Sequence, residues 1–451
     1  MTARTAFGSG VGRRAERAGV WFNPQPWVLL AGTCSFLVLM LRQLPCALGA
    51  PVYKAMCYSD ILPLFYARGL SEGKVPFITA EVEYPVLTGF LMDFARRITM
   101  ALGGQVGADL PDSVVTHAAN LFVGVNAVLL FAFFMLVLWA HLRLSRPWDA
   151  MMIAVSPAVI TTGLINWDFM VVALTALGVL AWSRKRPVWA GVWLGLGVAA
   201  KLYPLLLFVP LAVLCFRSGR LRQFWLALAG GVASWVAVNL PIYLLSPSGW
   251  LYFWTFNVDR GADWGSLWYA LSLAGVQVDD VSRAQSVCMV LGTAAICALL
   301  LLAPRRPRFA QGVLLLLVLF LVVNKVYSPQ YVLWLLPFLV LARPRWRDWA
   351  VFGVSETLYF MAIWGQLDGT LSTGAGGSGP YMAAVFLRIG VQLWIAALVI
   401  RDIVRPEFDP VRNPRWNSRH ALSEPLLDDP DGGVLDRAPD ASWMRVVPWL
   451  R

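Results

Sequence analysis

The sequence is short of charged side chains. Only 14% of its 451 residues are Asp, Glu, Lys or Arg, whereas 58% are hydrophobic. A soluble domain carries charge on about a quarter of its residues, so this composition argues against a soluble protein. The apolar runs repeatedly approach the length of about 20 residues that spans a bilayer. The sequence therefore predicts an all-α, polytopic integral membrane protein.

The common motifs of nucleotide and metal chemistry are also absent. Three histidines, His117, His141 and His420, form no ligand cluster, and the six cysteines have no metal-binding spacing. The sequence contains no Gly-rich loop ending in Lys-Ser/Thr, no zinc-type His-Glu pattern and no Gly-x-Ser-x-Gly elbow. ATP-driven transport and metal-dependent hydrolysis are therefore poorly supported. We expect neither a cofactor nor a bound metal.

Positive charge is concentrated in short loops between apolar segments. The net charge is +11. The basic loops lie at 143–146, 184–186, 217–222, 305–308 and 343–347. This is the pattern of loops retained in the cytoplasm, so the charge indicates topology and no nucleic-acid partner is needed.

Placing these loops inside predicts about twelve transmembrane helices with both termini in the cytoplasm. They lie at about 27–45, 117–140, 148–165, 168–183, 188–201, 203–216, 223–245, 284–303, 310–324, 329–342, 350–367 and 380–400. The chain then divides into a cytoplasmic N-terminal segment (1–26), a transmembrane domain (27–401) and a cytoplasmic tail (402–451). The first apolar run is long for a cleaved signal peptide, so we expect an uncleaved anchor. The tail is rich in Pro, Asp and Arg and is predicted to be largely disordered.

Three segments are expected on the outer side. The first, 46–116, contains two apolar-rich pieces predicted to lie on the membrane surface as helices. The second, 246–283, is rich in aromatic residues, and the third, 368–380, resembles a flexible loop. Cys46 and Cys57 fall together in the first segment, where oxidation is permitted, and whether they pair remains open.

Three predicted helical hairpins are short for two crossings. Residues 187–216, for example, offer about 30 residues where two full spans need roughly 40. These hairpins turn on the outer side at polar apices, namely 166–168, 201–204 and 324–330. Two of the five lysines, Lys201 and Lys325, occupy such apices. A charge below the headgroups costs a few kcal/mol unless it faces water or a partner.

The two lysines together predict a cationic cavity that opens outward and suits a lipid-borne phosphate. The alternative is that each lysine reaches the outer surface or pairs with Asp168. Other polar residues of the apices are candidates for binding the remainder of such a ligand. They are Asn166, Asp168, Tyr203, Tyr327 and Gln330.

Asp60 precedes an apolar stretch in the first outside segment. It can cap a surface helix, since Asp favours that position, or it can act as a general base at the membrane edge. Glu83 and Tyr84 offer further groups for binding hydroxyls, or they belong to a solvated face. In the second outside segment, Arg260 can bind phosphate and Trp264 can contact a sugar ring. An ordinary loop with an internal Asp–Arg pair explains those two residues equally well.

The ordered set of these pieces resembles the polytopic GT-C glycosyltransferases, and most closely glycosyltransferase family 87. That family includes actinobacterial mannosyltransferases that use polyprenyl-phosphate-mannose. The resembling pieces are YSD (58–60), EYPVL (83–87), NWD (166–168), GLGVAAKLYPLLL (195–207), RGADWGSLWYAL (260–271) and KVYSPQYVLWLLP (325–337). The Arg-over-Lys bias, with abundant Ala, Gly and Val, suggests a GC-rich genome compatible with such an organism.

The resemblance implies an inverting transferase of the cell envelope that faces outward. It implies an isoprenoid-phosphate sugar as donor, a lipid or glycan as acceptor and Asp60 as catalytic base. Lys201, Lys325 and Arg260 are then the candidates for stabilising the leaving phosphate. Many relatives carry two acids in the first outside loop, whereas Asp60 has no adjacent acidic partner.

Two other functions stay open. A transporter or flippase of a lipid-linked saccharide predicts inverted repeats and midplane charges able to face either side. No clear repeat is seen, and Glu356 and Arg388, the charges deep in late spans, are expected to pair. An inactive scaffold that recruits partners through its tail is the third possibility.

Overall fold

The computed structural model describes residues 23–372, 378–413 and 427–446, which fold into helices and loops without a β-strand. The all-α prediction is confirmed for these residues. Parts of several predictions lie outside them. These are the N-terminal arginines within 1–22, the middle of the loop 368–380, and the tail segments 414–426 and 447–451.

The helices follow one another along the chain with short connections. They are α1 (Pro24–Ala47), α2 (Ile61–Ala67), α3 (Val86–Ala101), α4 (Asp112–Leu142), α5 (Ala150–Ala154), α6 (Pro157–Thr162), α7 (Asp168–Ser183), α8 (Pro187–Ala200), α9 (Phe208–Arg217), α10 (Leu221–Leu245), α11 (Pro247–Asp259), α12 (Leu267–Leu273), α13 (Val281–Leu302), α14 (Phe309–Val323), α15 (Val332–Ala342), α16 (Trp346–Leu367) and α17 (Gly379–Val404). Short 3-10 turns, Tyr203–Leu207 and Pro329–Tyr331, lead into α9 and α15.

Proline defines several of these helix starts. Pro24, Pro157, Pro187 and Pro247 each begin a helix, where the missing N–H costs nothing and the fixed φ already suits helical backbone. The Asn23 side chain accepts a hydrogen bond from the Gln25 N–H and caps α1.

Five described helices, α1, α4, α10, α13 and α17, are long and apolar enough to cross a membrane by length and composition. Shorter apolar helices include α7, α8 and α14. The 16 residues of α7 extend about 24 Å, less than a hydrocarbon core of about 30 Å. A helix or a broken helix stands at each of the twelve predicted segments, but the number of crossings stays a prediction.

Small residues bring α8 and α10 into close contact. A Cβ atom added to Gly191 would lie 1.7 Å from the carbonyl oxygen of Ala227, and one added to Gly230 would lie 2.4 Å from that of Val188. Backbones can approach this closely only where side chains are absent, as in many membrane helix pairs. This contact packs α8, the helix that ends at Lys201, against α10.

Cys46 and Cys57 form a disulfide. The bond joins the end of α1 to the chain just before Tyr58, and it answers the question that the sequence left open. The location of the pair on the outer side of the membrane stays a prediction.

The prediction of a largely disordered tail is wrong for its described residues. Asp428 pairs with Arg306 at 2.8 Å, and Asp409 pairs with Arg308 at 2.8 Å. Both arginines belong to the loop between α13 and α14 and are buried. A buried guanidinium needs a carboxylate partner, and the tail supplies these partners.

Candidate active site

One cavity, of about 640 Å³, lies among the loops at the ends of α7 and α8. It brings together most of the candidate residues. Those that line it are Asp60, Glu83, Tyr84, Asn166, Lys201, Tyr203, Arg260, Trp264, Lys325 and Gln330. Segments that are far apart in the sequence therefore meet at one site.

Asp60 points into this cavity and does not cap α2. Its carboxylate makes no hydrogen bond to the helix N-terminus, whereas the Ser59 hydroxyl accepts from the Ile61 N–H. The Asp60 N–H donates to the carbonyl of Ile165 at 2.6 Å. This backbone contact fixes Asp60 beside the apex between α6 and α7.

The Asp60 carboxylate has two tyrosine neighbours. The Tyr84 hydroxyl donates to its Oδ2 at 3.4 Å, and Tyr58 also hydrogen-bonds to it. Burial raises the pKa of Asp60 to about 6, although these hydrogen bonds and the charge of Lys201 act in the opposite direction. A carboxylate of this kind is ionised at neutral pH and is a better proton acceptor than an exposed aspartate.

Lys201 stands on the same side of the cavity as Asp60. Its Nζ lies 3.1 Å from Oδ1 of Asp168. The rings of Tyr84, Tyr331 and Trp334 surround it, with centroids 5.0 to 5.5 Å from Nζ. Lys201 therefore pairs with Asp168, as one of the two interpretations of the sequence predicted. Lys201 itself lines the cavity.

Lys325 and Arg260 meet in a second part of the cavity wall. The Lys325 ammonium donates to the Val258 carbonyl at 3.0 Å, and the Asp263 N–H donates to the Lys325 carbonyl at 2.9 Å. Arg260 donates through Nε to Asp263 at 3.1 Å, which is the internal pair that composition allowed. Among the described residues, Lys325 has no carboxylate partner, so its charge is balanced by neutral groups only.

Two polar side chains present atoms without partners. Asn166 Nδ2 and Gln330 Oε1 are buried and make no hydrogen bond to any described residue. Both residues line the cavity. A donor and an acceptor left in this state suit the hydroxyls of a sugar, because buried polar atoms are otherwise paired.

Three other candidates, Glu83, Tyr203 and Trp264, already contact other groups of the protein. Glu83 pairs with Arg68 at 2.6 Å. The Tyr203 hydroxyl donates to Thr175 at 3.0 Å. Trp264 packs against Tyr381. All three residues line the cavity, but the carboxylate of Glu83, the hydroxyl of Tyr203 and the ring of Trp264 already contact other side chains.

Asp168 and Tyr327 do not line the cavity. Asp168 is buried beneath Lys201. Tyr327 is fully buried, and its carbonyl accepts from Arg388 at 3.0 Å. The expected pairing of Arg388 with Glu356 is present at 2.8 Å. These buried residues pack behind the residues that line the cavity and support them.

Several aromatic residues of the site were not among the candidates. Tyr58 and Trp364 contact each other with ring centroids 5.3 Å apart, and Tyr331 and Trp334 stack at 3.9 Å. All four line the cavity. Tyr58 is the first residue of the YSD piece, and Tyr331 and Trp334 belong to the KVYSPQYVLWLLP piece, so their sequence context was the available signal.

Within the described ranges, no group of three or more His, Cys, Asp and Glu side chains could hold a metal ion. The expectation of metal-free chemistry stays a prediction.

Comparison with known proteins gives one match. No curated protein matches the chain. The match covers residues 110–329, which include three of the resembling pieces, namely NWD, GLGVAAKLYPLLL and RGADWGSLWYAL. The YSD and EYPVL pieces precede this range. Over residues 110–329, just under half of its length, the chain matches the model of glycosyltransferase family 87, and this match indicates a glycosyltransferase.

Proposed function

We propose that this protein is a glycosyltransferase of the cell membrane that uses a polyprenyl-phosphate sugar as donor. The sugar is mannose, as in the actinobacterial enzymes that the sequence resembles. The acceptor is a hydroxyl of a lipid or glycan, and transfer occurs on the outer face with inversion. The observation that carries the proposal is the presence of Asp60, Lys325 and Arg260 in the wall of one cavity.

Asp60 is the general base in this proposal. It removes the proton from the acceptor hydroxyl while the acceptor oxygen attacks the anomeric carbon. The bond between that carbon and the phosphate oxygen breaks, and its electron pair leaves with the polyprenyl phosphate. A single displacement of this kind converts a β-linked donor into an α-linked product.

Lys325 and Arg260 stabilise the leaving phosphate. Lys325 suits this role because its present partner, the Val258 carbonyl, is neutral and can be replaced by an anion. Arg260 keeps its pairing with Asp263 and adds a second cation beside it. Cations placed where negative charge develops lower the barrier more than those that contact the ground state.

Lys201 has a different role from Lys325. It lies between Asp168 and the ring of Tyr84, and its charge lowers the pKa of Asp60. We assign it to positioning Asp60 and keeping the carboxylate ionised. Asn166 and Gln330 bind hydroxyls of the sugar or of the acceptor. Tyr84 and Trp264 contact the sugar ring.

The test is transfer of labelled mannose from polyprenyl-phosphate-mannose into lipid by membranes that contain the protein. We expect Asp60→Asn to lower the initial rate by about 10² to 10⁴-fold, the usual contribution of a general base. Asp109→Asn is the matched control, because Asp109 is an exposed acid of the same outside segment. The control should keep the wild-type rate.

Full turnover by Asp60→Asn would remove the proposed base. Movement of the labelled lipid across vesicles without a new glycosidic bond would favour a flippase instead. Unchanged activity after removal of residues 427–451, in a chain that still folds, would argue against a scaffold centred on the tail.

A further inference from the structure

The ends of α4, α7 and α8 that lie away from the cavity form a basic and aromatic surface. Arg143 follows α4, and Arg184 and Arg186 lie between α7 and α8. Asp168 and Lys201, at the other ends of α7 and α8, belong to the candidate active site. The surface is thus separated from that site by the length of these two helices.

Two adjoining cavities open at this surface. One, of about 370 Å³, has a largely apolar wall. Its apolar residues are Trp139, Leu177, Leu180, Ala181, Trp189 and Trp193. The other, of about 420 Å³, is lined by polar groups including Ser145 and Ser183. Arg143 and Arg184 line both cavities, so they stand at the boundary between an apolar and a polar space.

The arginines at this boundary lack carboxylate partners among the described residues. Arg143 lies over the ring of Trp139, 5.2 Å from its centroid, and makes no ion pair there. The acid that lines the polar cavity is Asp431, and its carboxylate accepts from the Ser145 N–H and hydroxyl at 2.8 and 2.6 Å.

The neighbouring helix ends differ. Arg217 has Asp440 as partner, and Arg306 has Asp428. Carboxylates of the tail therefore neutralise Arg217 and Arg306, whereas the positive charges of Arg143 and Arg184 have no such partner among the described residues.

We infer that this surface binds an anionic phospholipid. Its phosphate contacts Arg143 and Arg184, and its acyl chains lie in the apolar cavity against Trp189 and Trp193. Guanidinium groups bind phosphate bidentately, and tryptophan side chains favour the headgroup level of a bilayer. Basic pockets between membrane helices bind acidic lipid headgroups for these reasons. A free phosphate would leave the apolar cavity and the exposed Trp189 ring without a function.

The test uses the purified full chain in mixed detergent micelles and counts bound lipids by native mass spectrometry. Dioleoylphosphatidylglycerol is the anionic probe, and dioleoylphosphatidylcholine is the zwitterionic one. We expect the anionic lipid to bind at least about tenfold more tightly. The variant Arg143→Gln/Arg184→Gln should lose about 25-fold in affinity for the anionic lipid, because each arginine near a charged lipid surface contributes about fivefold.

Arg220→Gln/Arg222→Gln is the matched control. It removes two exposed arginines, one just before α10 and one in its first turn, both outside the two cavities, and should keep the wild-type affinity. Equal loss in both double variants would show a general effect of charge and overturn the site.

Two further results would also overturn the inference. One is equal binding of the two lipids by the wild-type chain, a measurement that does not depend on the folding of any variant. The other is binding of glycerophosphoglycerol, which has no acyl chains, as tightly as the full lipid. Trp189→Ala should weaken binding of the anionic lipid while the preference for it over the zwitterionic lipid persists.

Discussion

The carboxylate of Asp60 is surrounded by groups with opposing effects on its protonation. Burial favours the neutral acid, whereas the tyrosine hydroxyls and the Lys201 ammonium favour the carboxylate. Burial has the larger effect, so the pKa lies at about 6. Removal of water by a bound substrate would strengthen each of these effects.

This pKa predicts how the transfer rate depends on pH. A protonated Asp60 cannot accept a proton, so activity is present above the pKa and is lost as pH falls through about 6. We expect kcat/KM to fall about tenfold for each pH unit below that value and to level off above it. Initial rates of mannose transfer between about pH 5 and pH 8 measure this profile. A flat profile across that range would contradict the role of Asp60.

A second prediction concerns Lys325. Replacing Lys325 by Met removes a cation of the cavity wall that has no carboxylate partner among the described residues, and we expect kcat/KM to fall about 10² to 10³-fold. Lys325→Arg should retain much of the rate because the charge is kept. Lys74→Met is the control, since Lys74 is an exposed lysine paired with Glu72 outside the cavity. Equal rates for wild type and Lys325→Met would exclude Lys325 from phosphate binding.

Part of this chemistry was predictable from single residues. Two of five lysines at helical apices indicated cations below the headgroups, and both line the cavity. The sequence treated Lys201 and Lys325 alike, because nothing local distinguishes them. Their difference arises from the packing of α7 against α8, which brings Asp168 to Lys201 and no carboxylate to Lys325.

Among the elements, two loops combine to form one wall of the cavity. The loop after α11 carries Arg260, and the loop after α14 carries Lys325. Besides the Asp263–Lys325 backbone bond, the Tyr327 N–H donates to the Trp264 carbonyl at 3.4 Å. Gly265 lies directly against this pairing, with φ +79.

Gly265→Ala should separate the two loops. The added Cβ would lie 2.0 Å from the Tyr327 carbonyl oxygen, and the left-handed backbone disfavours any side chain. We expect a higher KM for the donor together with a lower melting temperature, by a destabilisation of about 1–3 kcal/mol. Gly261→Ala in the same loop is the control, because no atom lies within 4 Å of its added Cβ. Identical donor KM values for the two variants would contradict the role of this contact.

The elements themselves were largely predictable. Helical segments stand near all twelve predicted crossings because long apolar runs, prolines and basic loops define helix positions locally. The breaks were harder to predict. Pro157 begins α6 and divides one predicted crossing into α5 and α6, and the 3-10 turn at Tyr203–Leu207 precedes α9. Such breaks depend on neighbouring helices that accept the released backbone groups.

Across the whole molecule, the tail connects helix ends that are distant in sequence. Asp409 reaches Arg308 before α14, and Asp440 reaches Arg217 at the end of α9. The composition of the tail, rich in Pro and charged residues, favoured disorder. Its actual partners are arginines of the bundle, and a property of the tail sequence alone could not identify them.

Asp409→Asn should destabilise the folded protein. Asp409 and Arg308 are both buried, and loss of one charge leaves the other uncompensated, at a cost of about 3–5 kcal/mol. Denaturant or thermal unfolding in detergent measures the change. Asp279→Asn, at an exposed position before α13, should leave stability unchanged. A melting temperature equal to that of the wild type would show that the tail contact contributes little.

The Cys46–Cys57 bond has a consequence for producing the protein. It closes the stretch of chain that leads into the Asp60 segment, so we expect the conformation of that segment to depend on oxidation of the two thiols. Hosts that leave these two thiols reduced should yield poorly active protein. Its activity should recover on mild oxidation and decline again with reductant, a behaviour that double replacement of the two cysteines by serine would abolish.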